Sequence, residues 1–180
     1  MRLRLPFRVF SAGVILFLCL APPKAMAQNP TAQRPDPSVV SAPHEKMTLF
    51  EGTWSVEPGA REETCGWLAG GRRHMVCRSW SQRPGETIRR ERIQVLSYQP
   101  HNATYLAHFA FPSGDTVTYI GRVEGDRWVM DMQQSPLLPP NERFREIITK
   151  VDNGLRFVEE RSVNGGPWSV TEDYLSRRVK

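Results

Sequence analysis

The sequence is short of cysteine and of long hydrophobic runs, and each shortage excludes a class of protein. Of its three cysteines, Cys19 lies near the N-terminus, and only Cys65 and Cys77 lie further along the chain. The longest apolar run, Val9–Ala21, has 13 residues, whereas a helix needs about 20 to span a bilayer. The GxSxG, HExxH and CxxC motifs of common hydrolases, zinc proteases and redox proteins are absent. We therefore predict no metal, no cofactor and no integral membrane segment beyond the N-terminal region, and an enzyme is not favoured.

Residues 1–27 have the pattern of a cleavable secretory leader. Three arginines precede the apolar run, and Ala25 and Ala27 are the small residues that a signal peptidase reads. We predict cleavage after Ala27 and a periplasmic or secreted protein. Two alternatives stay open, an uncleaved N-terminal anchor and a lipid anchor at Cys19, although Leu18 is an unfavourable residue before a lipidated cysteine.

An excess of charge of one sign is also lacking once the leader is set aside. The whole chain has a net charge of +5 and a pI near 9.4, which would favour a nucleic-acid or anionic membrane partner. The leader carries four basic and no acidic residues, so the rest has 20 basic and 19 acidic residues and a net charge of +1. We predict no nucleic-acid partner, and the sequence identifies no protein partner.

The rest of the chain divides into a tether and one domain. Residues 28–43 are rich in Pro, Ala, Ser and Gln, which predicts a flexible tether. Residues 44–180 are numerous enough for one domain with a hydrophobic core. Within it, we predict a short helical turn at residues 44–50, immediately before the first strand.

Turn-forming residues divide this domain into about nine or ten short segments in which apolar residues alternate with polar ones. Val117, Tyr119 and Val123 share one face of such a segment, for example. This pattern is typical of an antiparallel meander of β-hairpins. A sheet of that length closes readily on itself, because closure removes its edges. We predict an all-β barrel of about 8–10 strands, with a β-bulge near residues 86–98, where the apolar residues change face.

The two remaining cysteines are spaced for a cross-strand disulfide. If residues 61–68 and 73–80 pair through a loop centred on Gly71, Cys65 and Cys77 lie directly opposite each other. An even pair in an exported protein is most simply a disulfide. A metal or redox pair is the alternative, but no His/Cys cluster accompanies it to complete a tetrahedral site.

Several segments resemble a bacterial family of small exported calycin-like proteins, which are related to lipocalins. The resemblance covers roughly residues 45–178 and is carried by LFEGTW, CGWLAGGRRHMVC, LSYQPHNATYLAHFAFPSG, GRVEGDRWVM and VNGGPWSVTEDYLSRR. It implies a closed or nearly closed barrel but no established activity. By the same resemblance, Gly52 and Trp54 have structural roles at the first strand. Trp54 would pack across the closed end of the barrel beneath an arginine of the last strand, Arg177 or Arg178.

The strongest functional hypothesis from the sequence is a binding protein for a small apolar or amphipathic molecule. Six side chains are predicted to face the barrel interior, where they either line a calyx or fill the core: Tyr105, Phe109, Tyr119, Trp128, Met130 and Phe157. A filled barrel would instead suit a cell-envelope protein-interaction module. A third hypothesis, a haem-binding protein or barrel enzyme that uses His108, lacks a partner to orient the imidazole.

Charged residues on the predicted strands have two interpretations. Acidic side chains on neighbouring strands could meet inside the barrel as an acid–base pair, or they could lie on the solvated outer face: Asp131, Glu159, Glu160 and Glu172. The basic run Arg89, Arg90 and Arg92 could likewise bind an anion or lie on the outer face among Glu86 and Glu91. The alternating charges favour the outer face in both cases.

Overall fold

The computed structural model describes residues 41–57, 61–82, 85, 87–133 and 135–179. The predicted leader, residues 1–27, and most of the predicted tether lie outside the described residues. Within the described part of the chain, no helix combines the length and apolar character that a membrane span requires.

A short helix precedes the barrel, as predicted, but it begins earlier than expected. The helix α1 spans Ala42–Met47 and continues as a 3-10 turn over Thr48–Phe50. Pro43 lies in its first turn, where a proline costs no hydrogen bond because the first helical N–H groups have no intrahelical partner. The predicted tether therefore gives way to helix at Ala42. Met47 is completely buried.

Ten antiparallel strands form a closed barrel, which confirms the predicted all-β fold at the upper end of the expected strand count. The strands are β1 (Gly52–Glu57), β2 (Arg61–Trp67), β3 (His74–Ser81), β4 (Arg90–Gln99), β5 (Thr104–Ala110), β6 (Thr116–Glu124), β7 (Arg127–Met132), β8 (Glu142–Val151), β9 (Gly154–Val163) and β10 (Ser169–Arg178). Each strand pairs with its neighbours in the chain, and β1 pairs with β10 to close the barrel, with Trp54 opposite Arg178.

The β2–β3 hairpin has the register that the cysteine spacing predicts. Cys65 lies opposite Cys77, their Cα atoms are 4.0 Å apart, and the two sulfurs form a disulfide. Both residues are buried. Closure of this loop of about 13 residues contributes roughly 3 kcal/mol in the chain-entropy description of disulfides.

The bulge predicted near residues 86–98 is absent from the part of this region that pairs, residues 90–98. The strand β4 keeps one continuous register with β3 over Arg90–Ser97 and with β5 over Ile93–Gln99. The register shift lies instead in β10, between Val170 and Glu172. The apolar residues change face in β4 for another reason: Arg92 and Gln94 line the interior cavity, while Ile93 is 46% exposed on the outside.

The barrel interior is apolar at one end and charged at the other. We call the end at which α1 lies the closed end; there Met47, Trp54 and Leu155 belong to one buried cluster. We call the opposite end, where β2 and β10 begin, the open mouth. Charged side chains of β2, β4, β8 and β9 face inwards in this half of the barrel, and they define the candidate site.

Candidate functional site

The closed end is a structural element built around Trp54. The indole Nε1 of Trp54 donates a hydrogen bond to the carbonyl of Phe50 at 2.8 Å, and the guanidinium carbon of Arg178 lies 4.9 Å from the centre of the indole ring. Of the two arginines that the resemblance offers as a cover for Trp54, Arg178 therefore takes this place, and Arg177 does not, because adjacent residues of a strand point to opposite faces. Gly52 opens β1 with a φ of 121°, a region that glycine adopts readily.

The six predicted ligand-lining side chains all lie inside the barrel, but they leave little space. Five of them surround a cavity of about 30 Å³: Phe109, Tyr119, Trp128, Met130 and Phe157. Tyr105 packs against Trp128 with ring centres 4.4 Å apart, and Phe109 packs against Tyr119 at 5.3 Å. Such a cavity holds one or two water molecules, whereas ligand sites usually measure a few hundred Å³. The six side chains therefore pack together as part of the hydrophobic core, and the space between them is too small for the predicted ligand.

His108 and two of the acidic residues lie on the outer wall. His108 is exposed, and its Nδ1 lies 2.9 Å from Oγ1 of Thr118 on the next strand. Glu160 accepts a hydrogen bond from Arg145 at 2.6 Å, and Asp131 pairs with Arg122. A haem site or catalytic base inside the barrel therefore cannot use His108.

Two arginines at the floor of the open mouth share one carboxylate. Nη2 of Arg92 lies 3.4 Å and Nη2 of Arg61 lies 3.9 Å from the same oxygen, Oε2 of Glu63. Arg92 also donates through Nε to the Ser79 hydroxyl at 2.7 Å, and Arg61 donates through Nη1 to the Tyr174 hydroxyl at 3.2 Å. The two guanidinium groups are thus held in place by the Glu63 carboxylate and by neutral hydroxyl groups.

A row of three glutamates lies beside these arginines. Glu146 on β8 is directly opposite Glu159 on β9, which is directly opposite Glu172 on β10. Like charges in directly opposed positions are destabilising. Burial is the main cause that raises the pKa of Glu146 to about 7, with Glu63 adding to it and Arg61 opposing it. Burial, followed by the charges of Glu146 and Glu172, likewise raises the pKa of Glu159 to about 7.

A cleft of about 680 Å³ opens above this floor. Its lining includes three arginines, three serines and two apolar side chains: Arg61, Arg90, Arg92, Ser79, Ser81, Ser113, Phe111 and Pro112. Glu91 and Glu172 complete the lining. The volume falls within the range of small-molecule sites, and hydrogen-bond donors dominate the polar part of the surface.

A second cleft, of about 800 Å³, lies at the closed end, and it is the weaker candidate. Its cations Lys46 and Lys150 are exposed at the edge. Arg178, which also lines it, already donates to the carbonyl of Glu51 and covers Trp54. The cleft at the closed end is therefore lined by residues that already have a structural role. The cleft at the open mouth, in contrast, shares Arg61 and Arg92 with the charged interior cavity.

Sequence reasoning missed the inward orientation of the charged residues, although one signal for it was present. The register that placed Cys65 opposite Cys77 also places Arg61 and Glu63 on the face of Cys65, because side chains two residues apart share a face. Had this face been assigned to the barrel interior, where Cys65 lies, the same parity would have placed Arg61 and Glu63 inside as well. A similar count from Phe157 would have placed Glu159 inside.

Comparisons with known proteins do not assign a function to this site, so its function is inferred from its geometry. The chain matches no protein family, and no characterised protein was found with a similar sequence.

Proposed function

We propose that the protein is a non-enzymatic binding protein that holds a small amphipathic anion at the open mouth of its barrel. The observation that carries this proposal is the cleft of about 680 Å³ whose floor is formed by Arg61 and Arg92. Each guanidinium group has five N–H donors, and the contacts with Glu63, Ser79 and Tyr174 occupy only part of them, so donors remain for a ligand.

The cleft favours a ligand with an anionic group and a short apolar part. A guanidinium group binds carboxylate, sulfate or phosphate oxygens through a planar pair of N–H donors. Ser81 and Ser113 add hydroxyl groups, and Phe111 and Pro112 offer an apolar wall at the same cleft. The apolar part of the ligand rests on this wall, because the interior cavity of about 30 Å³ is too small to admit it.

Replacing Arg92 by methionine is expected to weaken binding of octyl sulfate tenfold to a hundredfold. Hydrogen bonds to charged groups are worth about 1.5–3 kcal/mol, which corresponds to that range. Isothermal titration calorimetry at pH 6 measures the change. Arg89→Met is the matched control, because Arg89 lies on the outer wall with its guanidinium carbon 4.1 Å from the ring centre of Trp80. Equal losses in both variants, or no binding by the wild type, would contradict the proposal.

We further propose that the protein is an exported, calycin-like protein that acts in the periplasm or outside the cell. The leader pattern of residues 1–27 and the disulfide between Cys65 and Cys77 support this location. The closed ten-stranded meander supports the resemblance to the calycin-like family. The mass of the protein isolated from cells is expected to correspond to a chain that starts at Gln28. A mass that includes residues 1–27 would favour the anchored alternative.

A protein-interaction module is the second candidate function. The filled interior favours it, because a barrel without a calyx presents only its surface to a partner. Failure of the wild type to bind octyl sulfate, together with unchanged thermal stability in its presence, would support this function over ligand binding.

A further inference from the structure

We propose that the open mouth takes up its anion together with one proton, which is held by the facing carboxyl groups of Glu146 and Glu159. The inference rests on the proposed anion site and concerns its regulation. It follows from the register of β8 and β9, the charges that surround the pair and the balance of charge at the floor of the mouth.

The register places the two carboxyl groups side by side inside the barrel wall. Glu146 and Glu159 are direct partners across β8 and β9, and Cβ atoms of such partners lie about 4.5–5.5 Å apart. Both side chains point to the interior, since Glu146 lines the small cavity and Glu159 lies two residues beyond Phe157 on the same face. Two ionised carboxylates at this distance repel each other, so a proton relieves the repulsion.

Groups from four other strands face the pair. From β2, Arg61 favours the ionised forms, and Glu63 opposes ionisation of Glu146. From β10, Tyr174 hydrogen-bonds to Glu146, while Glu172 opposes ionisation of Glu159.

The remaining neighbours are on β4 and β6. Arg92 on β4 reaches Glu63, and Tyr119 on β6 lines the same cavity as Glu146. Burial, followed by the charges of Glu146 and Glu159, raises the pKa of Tyr119 far above its usual range, so this phenol stays protonated. Within this cluster, Glu146 and Glu159 combine direct opposition across two strands with a pKa raised to about 7 in each case.

The charge balance of the floor connects the proton to the anion. Arg61 and Arg92 bring two positive charges, and three carboxyl groups face them: Glu63, Glu146 and Glu159. With all three ionised the floor has a net charge of −1, and with one proton shared by Glu146 and Glu159 it has a net charge of 0. An anion therefore binds the protonated form more tightly, and by linkage its binding draws a proton from solvent.

The test measures protons and affinity in one titration. Octyl sulfate is the probe, because its sulfate does not titrate between pH 6 and pH 8 and every proton taken up must enter the protein. Calorimetry in two buffers of different ionisation enthalpy is expected to show uptake of about one proton at pH 8, and affinity about tenfold lower at pH 8 than at pH 6. That factor follows from a group with a pKa of about 7 that must be protonated for tight binding.

Amide variants separate this proton from any other. The double variant Glu146→Gln with Glu159→Gln removes both carboxylate charges, so it is expected to bind octyl sulfate without proton uptake. Its affinity should be the same at both pH values and at least as high as that of the wild type at pH 6. Glu160→Gln is the matched control, since Glu160 neighbours Glu159 but pairs with Arg145 on the outer wall. This control should retain the proton uptake of the wild type.

Each outcome has a distinct meaning. Binding by the wild type with no proton uptake and equal affinity at pH 6 and pH 8 would overturn the proton inference and leave the anion site standing. Absence of binding at both pH values would overturn the anion site itself. If the double variant does not fold, as judged by circular dichroism, the proton count of the wild type decides alone.

Discussion

Raising the pH from 5 to 8 is expected to lower the free energy of unfolding of the barrel by on the order of 3 kcal/mol. The pKa values of Glu146 and Glu159 are raised from 4.5 to about 7 in the folded protein. Between these values the folded state holds more protons than the unfolded state, so stability that is present at low pH is lost as the pH rises through about 7. One pKa unit corresponds to 1.36 kcal/mol, which makes one such carboxyl sufficient for the expected loss.

Urea denaturation at pH 5, 6, 7 and 8 measures this slope. The variant with Glu146→Gln and Glu159→Gln is expected to show a much flatter profile and to be more stable than the wild type at pH 8, because an amide carries no charge to bury. Glu160→Gln leaves the interior carboxyl groups in place and should keep the slope. His44 acts in the opposite sense, since burial, then Arg73 and His74, lower its pKa, but it is common to all variants. A wild-type protein that gains stability between pH 5 and pH 8 would contradict the prediction.

The pairing of Glu146 with Glu159 inside the barrel lowers the stability of the fold, and this cost points to a functional role. Packing the interior with apolar side chains alone would avoid the repulsion between Glu146 and Glu159, yet the polar half of the barrel has two arginines and three glutamates. Titratable groups with strongly raised pKa values are concentrated at functional sites more often than in plain structural cores. Here they lie directly beneath the cleft that Arg61 and Arg92 line, which is why we assign them to ligand binding.

The fold could be predicted from sequence because its determinants are local. Alternation of apolar residues and frequent turn residues specify a meander of hairpins, and each hairpin fixes its own register. The pairing of Cys65 with Cys77 needed only the position of one loop. The short helix before β1 was also predicted, although it begins two residues earlier, at Ala42.

The charged half of the interior could not be predicted in the same way, because it depends on contacts between distant strands. Arg61 meets Tyr174, which lies 113 residues later in the sequence. The alternating charges favoured the outer face for Arg92, while the barrel turns it inwards to Glu63 and Ser79. Whether the barrel is hollow or filled could not be predicted from the sequence either, since Phe109 and Tyr119 would face inwards in both cases.

Replacing Trp54 by alanine is expected to lower the free energy of unfolding by about 3–5 kcal/mol, the usual cost of removing a buried indole. The side chain is only 6% exposed and lies in the main hydrophobic cluster. The guanidinium group of Arg178, on the strand that closes the barrel, also lies over the indole ring. Loss of Trp54 therefore removes contacts with both β1 and β10 where these two strands pair.

Two further variants divide this effect into its parts. Trp54→Phe keeps a ring but removes the hydrogen bond to the carbonyl of Phe50, and it is expected to cost about 1–3 kcal/mol, the penalty for a buried group left without its partner. Arg178→Met removes the cation and also the hydrogen bond to the carbonyl of Glu51. It should cost about 1–2 kcal/mol, since an exposed cation–π pair is worth about 0.5–1 kcal/mol and a hydrogen bond about 1 kcal/mol. Trp80→Ala is the matched control, because Trp80 lies on the outer wall beneath Arg89, and urea denaturation compares the four variants with the wild type. If Trp54→Ala costs no more than Trp80→Ala, Trp54 does not stabilise the closed end, and the structural role that the family resemblance implies for it would have to be given up.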